Sequence, residues 1–240
     1  MSKADVDELL KDIEEQLISI KKYKKITKVK LKSILENLRS SLEYMAQDIN
    51  SALSKNALSK KGKRIYFPYG DTKEKFEQSI DRNLQAIQSE YPALYDCIEH
   101  LQPHKNNGDK WLVDMCRMTN DAKHKGLLEV KNKGNDHVVL SSGGIPIFGF
   151  VDCEDSFMVG PRICVRKDGS LTDQGMIGEY HIDGENVEVI EENNPLVDFS
   201  IVEKKKLVID GKTPIEVIPF LEKCFNKISQ FSTDVYTQLK

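Results

Sequence analysis

Apolar residues recur at every third or fourth position through the first half of the chain, which predicts amphipathic helices. The first helix follows Ser2 and Asp5, which resemble a capping box. The second covers about residues 31–53, and its apolar stripe consists of Leu31, Ile34, Leu35, Leu38, Leu42, Met45, Ile49 and Leu53. Arg39 and Glu43 lie one turn apart on the margin of this stripe, in position to point into a cleft.

The helical pattern breaks between residues 55 and 70, where residues 66–70 predict an extended loop rich in aromatic side chains. Three further helices follow, each with its own start or stop signal. These signals are Asp71 and Glu74 before the third helix, Pro92 and Pro103 around the fourth, and Asp109 and Gly126 around the fifth. The first half of the chain, residues 1–130, is therefore predicted to be helical.

From His137 onward the apolar residues alternate with polar ones and glycines become frequent, which is typical of strands. The predicted strands are residues 137–141, 145–151, 162–166, 176–182, 187–190, 197–202 and 207–209. A terminal helix follows, and Pro219 is expected to delay its start to that residue because proline lacks an amide hydrogen. The whole pattern predicts an α+β fold, with residues 131–240 forming a mostly antiparallel sheet region that ends in a helix.

Composition and charge restrict the class of protein. The 240 residues are 39% hydrophobic and 30% charged, which is typical of a soluble globular protein of one large or two small domains. No apolar run approaches the ~20 residues needed to cross a bilayer, and the charged N-terminus does not resemble a signal peptide. We therefore expect a cytoplasmic protein without a membrane partner. The five cysteines form no C-x-x-C pair, so we expect reduced thiols.

The net charge of −3 conceals two local runs of positive charge. Seven lysines lie between Lys21 and Lys32, and a second cluster occupies residues 60–64. Either run is suited to contact phosphates, and either also fits a role in keeping helix ends soluble.

The predicted fifth helix carries the strongest candidate site. Arg117, Asn120, Asp121 and His124 fall within about a third of a turn of one another. An imidazole that moves a proton and a guanidinium that holds a phosphate are suited to phosphodiester cleavage without metal or cofactor. We assign Arg117 and His124 as catalytic in this hypothesis. The residues expected to bind substrate are Asn120, Asp121, Lys123, Arg39 and Glu43. The alternative is that the four residues form only the solvated side of an amphipathic helix.

Four segments, in order along the chain, resemble a group of uncharacterised bacterial proteins similar to the HEPN superfamily. They are Leu38–Met45, Tyr66–Pro68, Leu101–His104 and Asn120–Lys125. The resemblance covers about residues 30–130. It implies an antiparallel helical bundle and frequent dimers. In many members it also implies a metal-independent ribonuclease with an arginine and a histidine separated by four to six residues. Arg117 and His124, with six residues between them, match the long end of that spacing.

Two functions follow as hypotheses. In the first, the protein is a ribonuclease of the toxin or phage-defence kind, and the strand-rich half positions RNA, senses a trigger or docks a partner such as an antitoxin. A homodimer would bring two copies of His124 to one phosphate. In the second, the bundle is a non-catalytic module that binds nucleotides, RNA or protein. Arg39, Glu43, Asn120 and His124 then hold helices together by buried polar contacts.

Overall fold

The computed structural model describes residues 3–54, 64–142, 144–160, 162–167, 170–176, 178–190, 197–210 and 214–239. Within these ranges, helices precede and follow a series of antiparallel strands, so the fold is α+β, as predicted. The chain divides into two compact units. Unit 1 comprises Met1–Lys131 and Leu207–Lys240, and unit 2 comprises Asn132–Lys206.

Unit 1 is mainly helical. Its helices are α1 (Lys3–Tyr23), α2 (Lys28–Ala52), α3 (Lys73–Asn83), α4 (Ile87–Glu90), α5 (Pro92–His100), α6 (Trp111–His124) and α7 (Val217–Gln238). The periodicity of the sequence predicts all of them except the single turn α4. The predicted capping role of Ser2 lies outside the described residues.

The starts of helices α3 and α7 differ from the prediction. Thr72, not Asp71, caps α3, because the Thr72 hydroxyl accepts a hydrogen bond from the amide of Lys75. Helix α7 begins at Val217, two residues before Pro219. Proline is tolerated there because the amides of the first helical turn have no partner within the helix.

Helix α7 packs with the N-terminal helices in unit 1, although the predicted division placed it in a domain with the strands of residues 131–240. Lys21 pairs with Glu222 near one end of α1, and the Lys3 ammonium lies 6.0 Å from the centre of the Tyr236 ring near the other. These contacts make α1 and α7 antiparallel. The reason for the packing is the apolar face of α7, where Leu221, Ile228 and Val235 are fully buried.

The core of unit 1 is a single cluster of apolar side chains from all the longer helices. Its largest fully buried members are Trp111, Phe76 and Phe231. The loop that precedes α3 also enters this core, because the ring of Phe67 meets that of Phe231 edge to face at 5.4 Å.

Unit 2 is built from short antiparallel strands. They are β2 (His137–Ser142), β3 (Ile145–Val151), β4 (Ser156–Val159), β5 (Arg162–Lys167), β6 (Ser170–Met176), β7 (Glu179–Asp183), β8 (Asn186–Val189) and β9 (Val197–Glu203). They form sheets with the orders β3-β2-β9, β4-β7-β8 and β5-β6. A small buried cluster in this unit consists of Leu140 from β2 and of Tyr180 and Ile182 from β7. A further sheet of order β1-β10-β11 consists of β1 (Val130–Lys133), β10 (Lys206–Ile209) and β11 (Ile215–Glu216).

The structure divides one predicted strand and adds others. The segment predicted as one strand over residues 176–182 is divided near Gly178, which has a φ of +123° that other residues rarely adopt. The strands β1, β4, β6 and β11 were not predicted, and β4 and β6 show no clear alternation of apolar and polar residues.

Candidate functional site

The candidate site lies on one face of α6. The opposite face packs into the core, with Leu112, Met115 and Ala122 buried. The N-cap of this helix is Lys110, not the predicted Asp109, although the Asp109 carboxylate accepts a hydrogen bond from the Trp111 amide at 3.3 Å. The outward face carries Arg117 and Asn120, which both contact residues from other parts of unit 1.

Arg39 of α2 joins the two helices. Its Nε donates to Glu43 Oε1 at 2.9 Å, and its Nη1 donates to Asn120 Oδ1 at 2.5 Å. The side chains of Arg39 and Glu43 are only 17% and 24% exposed. The guanidinium is thus held in one orientation by an acceptor on its own helix and an acceptor on α6.

The loop of residues 65–71 supplies a third side to this arrangement, and Gln102 holds the loop in place. The buried Gln102 side chain accepts from the Gly70 amide at 3.2 Å and donates to the carbonyl oxygens of Pro68 and Ile98. Gly70 is required by close packing, since a Cβ atom there would lie 2.4 Å from the Phe76 amide nitrogen.

This loop carries Tyr69 and Asp71 to the face of α6. Burial raises the pKa of Tyr69, and the nearby Arg39, Asn120 and Arg117 oppose that rise. Asp71 Oδ2 accepts from Arg117 Nη2 at 3.2 Å. A hydrogen bond from Lys75, together with the charge of Arg117, holds the pKa of Asp71 below its usual value. We call Arg39, Glu43, Tyr69 and Asn120 the polar cluster.

Cys116 lies beneath the polar cluster. Burial raises the pKa of its thiol to about 12, so this cysteine is a neutral thiol at physiological pH. Burial acts to lower the pKa of Arg39, but the hydrogen bond to Glu43 and the charge of that carboxylate act against burial, and the pKa is raised. Arg39 is therefore a permanent cation, and it is held in place at the edge of the core.

The other predicted site residues are more exposed. Asp121 pairs with Lys125 at 2.7 Å, and Lys123 lies 3.9 Å from Glu36 of α2. The His124 side chain faces solvent, and within the described ranges no side chain bonds to it. Arg117, 58% exposed, also lies 4.0 Å from Asp114.

The structure thus brings Arg39, Glu43 and Asn120 together, and it leaves Arg117 and His124 two turns apart on the surface of α6. The seven positions from Arg117 to His124 correspond to about 10 Å along the helix axis. Sequence reasoning did not assign Tyr69, Asp71 or Glu36 to the site. The aromatic loop at Tyr66–Gly70 was the only signal for Tyr69. Most of the basic cluster at residues 60–64 lies outside the described residues.

Among the residues that the structure describes, no group of three or more histidine, cysteine, aspartate or glutamate side chains is arranged to hold a metal ion. No helix in the same part of the chain combines the length and the apolar character that crossing a bilayer requires.

No protein-family model, curated protein or solved structure matches the chain.

Proposed function

We propose that this protein is a metal-independent endoribonuclease of the toxin or phage-defence kind, with a HEPN-like helical bundle and a cleavage site on the exposed face of α6. The observation that supports the proposal is the hydrogen bond between Arg39 and Asn120. It joins the two segments that carry most of the family resemblance, Leu38–Met45 and Asn120–Lys125. It also adds a second, half-buried guanidinium beside the helix face that bears Arg117 and His124.

RNA brings its own nucleophile to such a site. A neutral imidazole of His124 takes the proton of the 2′-hydroxyl, and the 2′-oxygen forms a bond to phosphorus. The bond from phosphorus to the 5′-oxygen then breaks, and the leaving oxygen takes a proton from an imidazolium. The products are a 2′,3′-cyclic phosphate and a 5′-hydroxyl. The guanidinium of Arg117 binds the negatively charged phosphate as it becomes five-coordinate, and Asn120 and Arg39 orient it.

One imidazole cannot be the base and the acid in the same concerted step. A twofold dimer in which α6 meets its symmetry mate supplies the second one, His124 of the partner subunit. The exposure of Arg117 and His124 leaves this face free to form such a contact. An antitoxin or a defence-system partner would bind the same protein to restrain it.

The same hydrogen bonds favour a second function, a non-catalytic module that binds nucleotides, RNA or protein. Arg39 already has two acceptors, Glu43 and Asn120, and together they tie α2 to α6. A polar tie between helices needs no substrate to explain it. In this alternative the outer residues of α6 bind a phosphate without cutting it.

A cleavage assay in EDTA separates the two functions. We expect the wild-type protein to cut single-stranded RNA and leave 2′,3′-cyclic phosphate ends, and to leave unchanged an RNA whose 2′-hydroxyls are methylated. His124→Ala is expected to lose at least about 100-fold in rate with an unchanged melting curve. The matched control is His100→Ala, which removes an exposed histidine of α5. RNA binding by an inactive wild-type protein would favour the module, and full activity of His124→Ala would contradict the assigned catalytic residue.

A further inference from the structure

A surface of concentrated positive charge in unit 1 is the turn between α1 and α2. Residues Lys21–Lys32 contain seven lysines and no carboxylate. We call this segment the lysine hairpin. Lysines of this segment pair with carboxylates, among them Lys21 with Glu222, Lys28 with Glu129 and Lys32 with Glu36. These are pairs between partly exposed groups, which are worth little in water, so a phosphate can replace the carboxylate at small cost.

The lysine hairpin also presents an aromatic ring. The Tyr23 side chain is 59% exposed, and the Lys22 ammonium lies 5.3 Å from the centre of its ring. An exposed ring among lysines is the combination by which proteins bind single-stranded nucleic acid, because bases stack on the ring while ammonium groups follow the backbone.

Contacts along α2 show where the lysine hairpin lies relative to α6. Arg39 bonds to Asn120, Glu36 lies 3.9 Å from Lys123, and Lys28 bonds to Glu129 at 2.5 Å. In these three contacts the residue number in α2 falls from 39 to 28 while the number of its partner rises from 120 to 129. Helix α2 therefore runs antiparallel to α6 and the residues that follow it. The lysine hairpin therefore adjoins the end of α6 that carries His124, and it lies beyond the polar cluster on that side.

We propose that the lysine hairpin binds the backbone of single-stranded RNA and guides it from the polar cluster past His124. Lys22 and Lys30 contact phosphates, and Tyr23 stacks on a base. The inference rests on the proposed function in one respect, that the ligand is RNA, and it concerns binding rather than cleavage. RNA is preferred to a lipid surface because the cationic segment continues into the α6 face with its guanidinium and amide groups.

The test measures fluorescence anisotropy of a labelled RNA of about 12 nucleotides, methylated at every 2′-hydroxyl so that it is not cut during the titration. Lys22→Gln/Lys30→Gln is expected to bind more weakly. Its plot of log affinity against log salt should be shallower by about 1.4, since each phosphate contact to a single strand contributes about 0.7. Tyr23→Ala is expected to lose at least about fivefold in affinity with little change in slope.

The matched control is Lys11→Gln/Lys227→Gln, which removes two exposed lysines from α1 and α7. It is expected to bind as the wild type does. Equal losses in both double variants, or no loss in Lys22→Gln/Lys30→Gln, would overturn the proposal. The proposal would also be overturned, in favour of a membrane surface, if the protein bound phosphatidylserine vesicles more tightly than RNA and lost that binding in Lys22→Gln/Lys30→Gln. Melting curves of all variants verify that they are folded.

Failure of this inference is distinct from failure of the proposed function. A wild type that binds RNA through the lysine hairpin but does not cut it would support the hairpin and contradict the ribonuclease. A Lys22→Gln/Lys30→Gln variant that binds and cuts RNA as the wild type does would support the ribonuclease and contradict the hairpin. His124→Ala is expected to keep its affinity for the methylated RNA.

Discussion

The guanidinium of Arg39 donates a hydrogen bond of 2.5 Å to the side-chain oxygen of Asn120, although 81 positions separate the two residues in the chain. The bond crosses from α2 to α6, and the Arg39 side chain is only 17% exposed. The strength of this hydrogen bond can be measured directly, and so can the contributions of neighbouring groups to stability and to RNA binding.

We expect Arg39→Met and Asn120→Leu to be coupled. A double-mutant cycle by urea denaturation should give an interaction energy of about 1 kcal/mol, less than for a fully buried charged hydrogen bond because solvent reaches the pair. The fluorescence of Trp111, the chain's only tryptophan, reports unfolding. A cycle of Arg39→Met with the exposed Gln78→Leu is the control and should be additive within about 0.5 kcal/mol. Additivity of Arg39→Met and Asn120→Leu would contradict the prediction.

Gln102→Leu should destabilise the protein by about 2–4 kcal/mol. The substitution leaves the Gly70 amide and the carbonyl oxygens of Pro68 and Ile98 without their present partner, and the Gln102 side chain is fully buried. Chemical denaturation measures the loss. Gln78→Leu, on the exposed side of α3, should change stability by no more than about 0.5 kcal/mol. Similar losses in the two variants would show that the loop does not depend on this side chain.

Asp71→Asn should raise the affinity for the methylated RNA by about threefold, which corresponds to one screened surface ion pair. The Asp71 carboxylate pairs with the guanidinium of Arg117, so a phosphate must displace this carboxylate in order to bind Arg117. Anisotropy titrations measure the change. Glu77→Gln removes the same charge from α3, where Glu77 pairs with Lys73, and should have a smaller effect. If both variants gain equally, Asp71 does not compete with the phosphate.

Glu99→Gln should lower stability at pH 7 by about 1–3 kcal/mol and make the protein less sensitive to acid. Burial acts to raise the pKa of Glu99, but hydrogen bonds from His104 and Lys105 outweigh it and lower the pKa. A carboxyl whose pKa is lowered on folding stabilises the protein fully above the unfolded value of ~4.3, and that contribution is lost as the pH falls through the folded pKa.

Urea denaturation between pH 7 and pH 3 checks this prediction. The difference in stability between wild type and Glu99→Gln should be greatest at neutral pH and should shrink below about pH 4. Glu8→Gln, at an exposed position of α1, is the control and should follow the wild type at every pH. A difference that stays constant with pH would mean that the Glu99 charge does not contribute.

The helices were predictable because their signal is local. In α2 the stripe from Leu31 to Ile49 is buried along its whole length, as its three-and-four spacing requires. The short strands were harder to predict, since a segment such as Ser156–Val159 carries too few alternating positions to stand out.

The sequence alone determined the α+β class, the amphipathic faces of the long helices and the presence of arginine, asparagine and histidine on one face of α6. Those properties depend on residues within a few turns or strand positions of one another. Only the tertiary structure decided that Arg39 meets Asn120, that Asp71 pairs with Arg117 instead of capping α3, and that α7 completes the helical unit. Such contacts depend on how distant apolar faces pack, and polar side chains at the margins then bond to whichever partners that packing brings near.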